Sequence, residues 1–395
     1  MSVSTGYVKK ELPSKVLSIG IALTVIGVLL SAIFWVADFH RAVHNYMLVF
    51  FFLLTIGGGA LFIVALEYIA GAIWSVPLRR VIEFVAGVIP ITFVLAIPLL
   101  FNLPVLFEWM DPKIVANDHL VHHKAGYLNE QFFLIRFGVT FALWTLFYFL
   151  FTRRSLKQDE TKDQGITTRN IKLAAVFIPI FAISLSLSGI DWLMTIEPHW
   201  FSTIFGVYIF SGSMVGALAV IAFAVVKLNE NGYLHTGMVQ DHYYSVGALL
   251  FAFVAFWAYI ALSQFLLIWY ANLPETTFWY IYRSKGAWFG ISMLFIVVHF
   301  IVPFALLLPK KNKMNPKILK FVSVWVFFAH MFDIYWLYMP SFTKQYGFAW
   351  TSLLEIAAPI LATGILIIAF YFSAKNKNKV AVGDPKLERG LNFRL

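Results

Sequence analysis

Residues 186–200 read SLSGIDWLMTIEPHW. They close a strongly apolar stretch, yet Asp191, Glu197 and His199 fall within nine positions of one another. In a soluble domain such a segment would be an ordinary amphipathic helix end. The rest of the chain excludes that reading. Only 13% of its 395 residues are charged and 60% are hydrophobic, against about 25% charged in a soluble domain. Apolar runs recur that reach the roughly 20 residues needed to cross a bilayer. The 41 Phe, 17 Tyr and 13 Trp suit lipid-facing surfaces with aromatic belts at both interfaces. The sequence therefore predicts an all-α, polytopic membrane protein in which Asp191 lies near the end of its fifth span.

Ten spans are expected, at about 16–36, 46–74, 80–101, 131–152, 171–195, 200–226, 243–271, 287–308, 318–340 and 350–373. The polar N-terminus carries no small-residue cleavage site after the first apolar run, which reads as an uncleaved span. The segments on the side of the termini carry 23 Lys and Arg, against 6 on the other side, with Arg136 inside a span. By the positive-inside rule both termini face the cytoplasm. The net charge of +10 is mostly this topological bias and implies no nucleic-acid partner. With no cysteine, the chain has no thiolate for an iron–sulfur cluster, no C-x-x-C-H haem attachment and no disulfide.

Four pairs of segments, each four spans apart, suggest a parallel duplication. GALFIVA from Gly59 matches GALAVIA from Gly216, and EFVAG from Glu83 sits like YYSVG from Tyr243. FGVT from Phe137 matches FGIS from Phe289, and Asp191 precedes Pro198 by seven residues as Asp333 precedes Pro340. The expected organisation is span 1 within 1–45, a first four-helix bundle over 46–199 (spans 2–5), a second over 200–340 (spans 6–9), and span 10 with a cytoplasmic tail over 341–395.

Ionisable groups inside spans are costly and mark ion or proton routes. The duplication sets Ser188 opposite His330 and Asp191 opposite Asp333, each pair three apart on one helix face. Ser184, Ser188, Asp191 and Thr195 form a polar stripe. Asp191 and Asp333 would serve an outer half-channel, His299 and His330 the middle, and Glu67 and Glu83 the cytoplasmic half, with Tyr259 and Gln264 holding water. Arg136 reads as a structural ion-pair partner of Glu130 or Asp191, and Glu83 equally as a partner of the neighbouring Arg79 and Arg80. A b-type haem between His299 and His330 is a weaker reading. The outer-loop group His119, His122 and His123 fits a solvated loop or subunit contact better than a metal centre.

The quoted stretch and its continuation HWFSTIFGVYIFSGSMVGALA, with KAGYLNEQFFLIRF from Lys124 and LIWYANLPETTFWYIYR from Leu267, resemble the F-subunit family of bacterial alternative complex III. These are polysulfide-reductase (NrfD)-like membrane subunits of a quinol-oxidising respiratory complex. The resemblance implies two four-helix bundles, proton half-channels and no redox centre or metal in this chain. It implies partners: a sister ten-span NrfD-like subunit, an iron–sulfur subunit, and multihaem and monohaem cytochrome c subunits carrying the c-type haems and clusters. The expected function is to anchor these in the inner membrane and conduct protons. Three alternatives stay open: a second quinone-binding site, a stand-alone secondary transporter, and a scaffold whose charges serve packing alone.

Overall fold

The computed structural model describes residues 6–395, apart from the side chains of residues 345 and 346. The chain is 81% helix, with no strand among the described residues. Ten helices are long and apolar enough to cross a membrane: Ser14–Ala37, Phe39–Ala70, Val76–Leu100, Glu130–Thr161, Gln164–Ile196, Phe205–Glu230, Gln240–Ala271, Ala287–Leu307, Pro316–Lys344 and Trp350–Ala374. They are numbered spans 1–10 in that order. Several run a turn or two past the apolar run that announced them, because polar residues continue the helix beyond the hydrocarbon. Span 4, for example, continues through RRSLKQDET to Thr161.

Span 2 is the axis. Nearly every residue from Arg41 to Tyr68 is buried, and it packs on spans 3, 5, 6, 9 and 10. Such uniform apolarity marks a helix enclosed by others. Span 1 lies against span 10, where glycine permits close approach: a Cβ on Gly27 would fall 2.7 Å from the Cα of Leu361. Small residues at interfaces are how helices gain contact in lipid, where no hydrophobic force drives them together.

Several spans carry prolines, and those in spans 3, 8 and 9 bear on the interior. Pro90 offers no N–H to the turn before it, and span 3 breaks at Gly87–Val88 into Arg79–Ala86 and Ile89–Leu100. Pro303 leaves the His299 carbonyl without its usual donor, and span 8 widens to a π turn over Val297–Ile301. The Trp325 indole donates to the Val298 carbonyl there at 2.8 Å.

Pro340 in span 9 orphans the Trp336 carbonyl. Arg283, from the short helix Pro274–Arg283, fills that gap. Its guanidinium donates to the carbonyls of Trp336 (3.2 Å), Leu337 (2.6 Å) and Trp279 (2.8 Å). Arg283→Met should therefore cost about 3 kcal/mol, at roughly 1–3 kcal/mol per buried polar group left unpaired. In a Pro340→Ala background, which restores the backbone bond to Trp336, the same change should cost about 1 kcal/mol less. Thermal unfolding of the two single variants and the double variant in detergent measures this coupling, and strict additivity would refute it.

The loop 102–130 folds back as short helices and seats Trp109 among Phe107 and Phe133. His119, His122 and His123 lie exposed on the helix His119–Lys124. Asp118 caps that helix and pairs with His199 at 2.7 Å. The Val121 amide and the His199 ring hold Asp118 below the usual carboxylate range.

Candidate functional site

Among the buried polar groups, three hold the ionisable residues expected on a proton route, and they differ in how charge is neutralised.

The first surrounds Asp191. Arg136 of span 4 meets it in a two-pronged pair, Nε to Oδ2 at 2.8 Å and Nη2 to Oδ1 at 2.9 Å. The Tyr127 hydroxyl donates to Oδ1 at 3.0 Å, and the guanidinium lies over the Tyr127 ring at 3.8 Å. Both charged side chains are buried. The expected choice between Glu130 and Asp191 thus resolves to Asp191. The serine stripe does not reach into open space. Ser184 and Ser188 donate to the carbonyls of Ile180 and Ser184, and Ser184 accepts from the Trp144 indole.

The second group, around Asp333 of span 9, has a different character. The Tyr208 hydroxyl of span 6 donates to Oδ1 at 2.6 Å, and the Trp257 indole of span 7 donates to Oδ2 at 3.1 Å. Both donors are neutral. His299, carried by the π turn of span 8, has its Nε2 3.8 Å from Oδ2 and its ring 3.8 Å from that of Trp257. π turns concentrate at functional sites. His330, one turn before Asp333, has its Nε2 2.9 Å from the Thr55 hydroxyl. That hydroxyl also lies 2.8 Å from the Phe52 carbonyl; when it donates there it accepts from His330 Nε2, and when it donates to the ring it leaves that carbonyl. Nδ1 of His330 and both nitrogens of His299 have no hydrogen-bond partner among the described residues. Span 6 leaves room for these rings because Gly216 faces them: a Cβ there would lie 2.3 Å from His330 Cδ2.

The ligand atoms of His299, His330 and Asp333 fall within 4.8 Å of one another. Two imidazoles and a carboxylate are the donor types that hold first-row metal ions, and this is the set that could do so here. The same three groups can equally pass a proton, because each can gain or lose one and their polar atoms lie within 4.8 Å of one another.

The third group lies at the other ends of spans 2–4. Arg80 pairs with Glu83 at 2.6 Å and Asp159 at 2.8 Å; Arg79 lies 3.5 Å from Glu67 and pairs with Asp384. All six side chains are largely buried. Glu83 is therefore one member of an enclosed ionic network, not an interfacial side chain reaching for water. The tail closes it: Asp384 enters from residues 375–395, Gly383 N–H donates to Asp159 at 3.1 Å, and the Gly390 carbonyl meets His242 at 2.9 Å. Thr55 and Glu67 stand twelve residues apart on span 2, roughly 18 Å along the axis, so one helix links the second and third groups.

One expected pairing fails. Tyr259 and Gln264 are five residues apart, about 140° around a helix, and only Gln264 points inward. It bonds Ser202 at 3.1 Å and Tyr280 at 3.3 Å, while Tyr259 is 64% exposed on the outer surface. Glu355 sits beside Arg41 at 2.7 Å and Tyr335 at 2.8 Å. Sequence reasoning did not single out Thr55, Tyr208, Trp257, Asp159 or Asp384. The first three are unremarkable in apolar runs, and the last two sit in segments that read as solvated.

Fold and site together define a multi-pass, all-helical membrane protein with a buried carboxylate–imidazole group at its centre. In comparison with known proteins, the chain matches no family model, and no curated protein is significantly similar to it.

Proposed function

We propose that the chain is a membrane subunit of a quinol:cytochrome c oxidoreductase of the alternative complex III kind, in a bacterial inner membrane with both termini cytoplasmic. On this reading spans 2–5 and 6–9 are two related bundles, with spans 1 and 10 outside them. The chain anchors an iron–sulfur subunit, cytochrome c subunits and a sister ten-span subunit, and conducts protons. The resemblance of its long motifs supports the complex, and the 23-to-6 distribution of Lys and Arg supports the orientation.

The observation that carries the proton role is Asp333. It is a buried carboxylate with only neutral donors on its oxygens and two imidazoles beside it. A carboxylate tied to arginine is a poor relay, because losing its charge breaks the pair. One held by neutral groups can exchange a proton without stranding a cation. In this scheme Asp333, His299 and His330 form the central relay, the Glu67–Glu83 network lies at its cytoplasmic end, and Asp191 has a structural role.

A stand-alone secondary transporter is the second reading, favoured by the break in span 3 and the π turn in span 8, since transporters place substrates at interrupted helices. Purifying the tagged chain in mild detergent separates the two. A reduced c-type haem spectrum with co-purifying iron–sulfur and second ten-span subunits is expected. A colourless chain without partners would favour the transporter.

A further inference from the structure

A cavity of about 990 Å³ opens sideways between spans 7 and 8 and the helix Pro274–Arg283 that joins them. That is at the upper end of the range for ligand pockets. Its floor is small, with Ala255, Ala258 and Ala261 recurring every three residues on span 7. Its mouth is flanked by Tyr259, Leu262, Phe289 and Met293, all exposed on the surface that faces hydrocarbon in a membrane-spanning chain. Whatever enters comes from the bilayer.

The two ends of the cavity ask for different chemistry. At the deep end the polar atoms are already committed. Tyr208 and Trp257 both donate to Asp333. Nothing there is left for a polar head group, so the deep end fits hydrocarbon. The other end has unspent positive character. Arg283 lines the cavity, is 2% exposed, and has no carboxylate within ion-pair distance among the described residues. Its three hydrogen bonds go to carbonyls, leaving two of a guanidinium's five N–H groups. Lys285 is exposed two residues on, and span 8 begins behind Gly286 with no side-chain cap on its first amides. Uncapped amides and guanidinium N–H groups are what bind phosphate. Tyr280 and Trp269 also line the cavity, residue types that settle at the head-group level.

We propose that this cavity binds an anionic phospholipid, with one acyl chain on the alanine floor and the phosphate at the Arg283–Lys285–Ala287 corner. The inner wall is the Tyr208–Trp257 pair that holds Asp333, so the bound chain excludes water from the back of the central group. The assignment depends on the membrane-spanning fold and not on the respiratory reading.

The test uses the full-length chain reconstituted in nanodiscs of equal phosphatidylglycerol and phosphatidylcholine, then re-extracted in mild detergent and analysed by native mass spectrometry. Wild type is expected to retain one phosphatidylglycerol. Ala258→Trp, which fills the floor, should lose it, whereas Ala182→Trp on the exposed face of span 5 should keep it. Lys285→Glu lies on an exposed turn that leaves the cavity walls intact. It should lower the preference for phosphatidylglycerol about fivefold or more, the effect of roughly one basic charge at the membrane surface. Millimolar inorganic phosphate should not displace the lipid. Equal retention by Ala258→Trp and wild type would overturn the site, as would the absence of any head-group preference, or displacement by free phosphate.

Discussion

Arg136→Met should destabilise the protein by about 3–5 kcal/mol, and adding Asp191→Leu to it should recover most of that loss. The reason is asymmetry in what each change leaves behind. Removing one partner of a buried ion pair strands the other charge, whereas replacing both with apolar groups of similar volume is often neutral. The geometry here meets that condition. The pair is two-pronged, at 2.8 and 2.9 Å, and both side chains are buried. Tyr127 supplies a further hydrogen bond to the carboxylate and a ring under the guanidinium. In Arg136→Met the carboxylate keeps only the tyrosine hydroxyl. Asp191→Asn should also destabilise, because the guanidinium then faces a neutral amide. Thermal unfolding followed by tryptophan fluorescence in detergent ranks the variants. If the double variant melted no higher than the worse single one, the pair would not be the main interaction at this position.

The same contrast shows what could be read from the chain before its structure and what could not. The spans were legible because length and apolarity decide them, and membrane helices satisfy their own backbone. Their polar ends were not, since RRSLKQDET of span 4 has no hydrophobic pattern to mark a stop. If the halves are related as proposed, the difference between the two aspartates is readable in the sequence. FGVT after Arg136 matches FGIS after Trp288, so the position that gives Asp191 its cation holds an indole in the second half. Trp288 spends its N–H on Thr343 at 2.8 Å, and Asp333 is left to Tyr208 and Trp257. Tyrosine and tryptophan in a chain with thirteen Trp and seventeen Tyr carry no flag that singles out these two. Asp384 was illegible for another reason. Its partner Arg79 lies 305 residues away, and KNKNKVAVGDPKLERG has the composition of a solvated tail. Only the packing of Gly383 and Gly390 against the helix ends brings it inside.

On the proposed function, Asp333→Asn should abolish most proton movement through the chain, reducing it about a hundredfold or more, the lower range of what a positioned proton-transfer group contributes. Asparagine matches the shape of aspartate and still offers Tyr208 an oxygen to donate to, while the Trp257 indole loses its acceptor at roughly 1–3 kcal/mol, a loss the fold should survive. What it lacks is the ability to take and release a proton beside His299, 3.8 Å away. His330→Gln should give a smaller loss, because the amide can keep the contact to Thr55 while removing the titrating ring. Asp191→Asn should show the opposite profile: a lower melting temperature with a stoichiometry near wild type. The measurement is proton release per quinol oxidised by the purified complex in liposomes, counted above the two protons that quinol oxidation itself liberates, with quinol oxidation monitored in the same sample. Quinol oxidation should continue in Asp333→Asn while proton release falls, which separates a broken relay from a lost assembly. If Asp333→Asn kept full proton stoichiometry, Asp333 would join Asp191 as a packing residue and the chain would be a scaffold. If Asp191→Asn instead lost protons while melting normally, the relay would belong to the first half of the molecule, and the neutrality of the donors around Asp333 would have to serve another purpose.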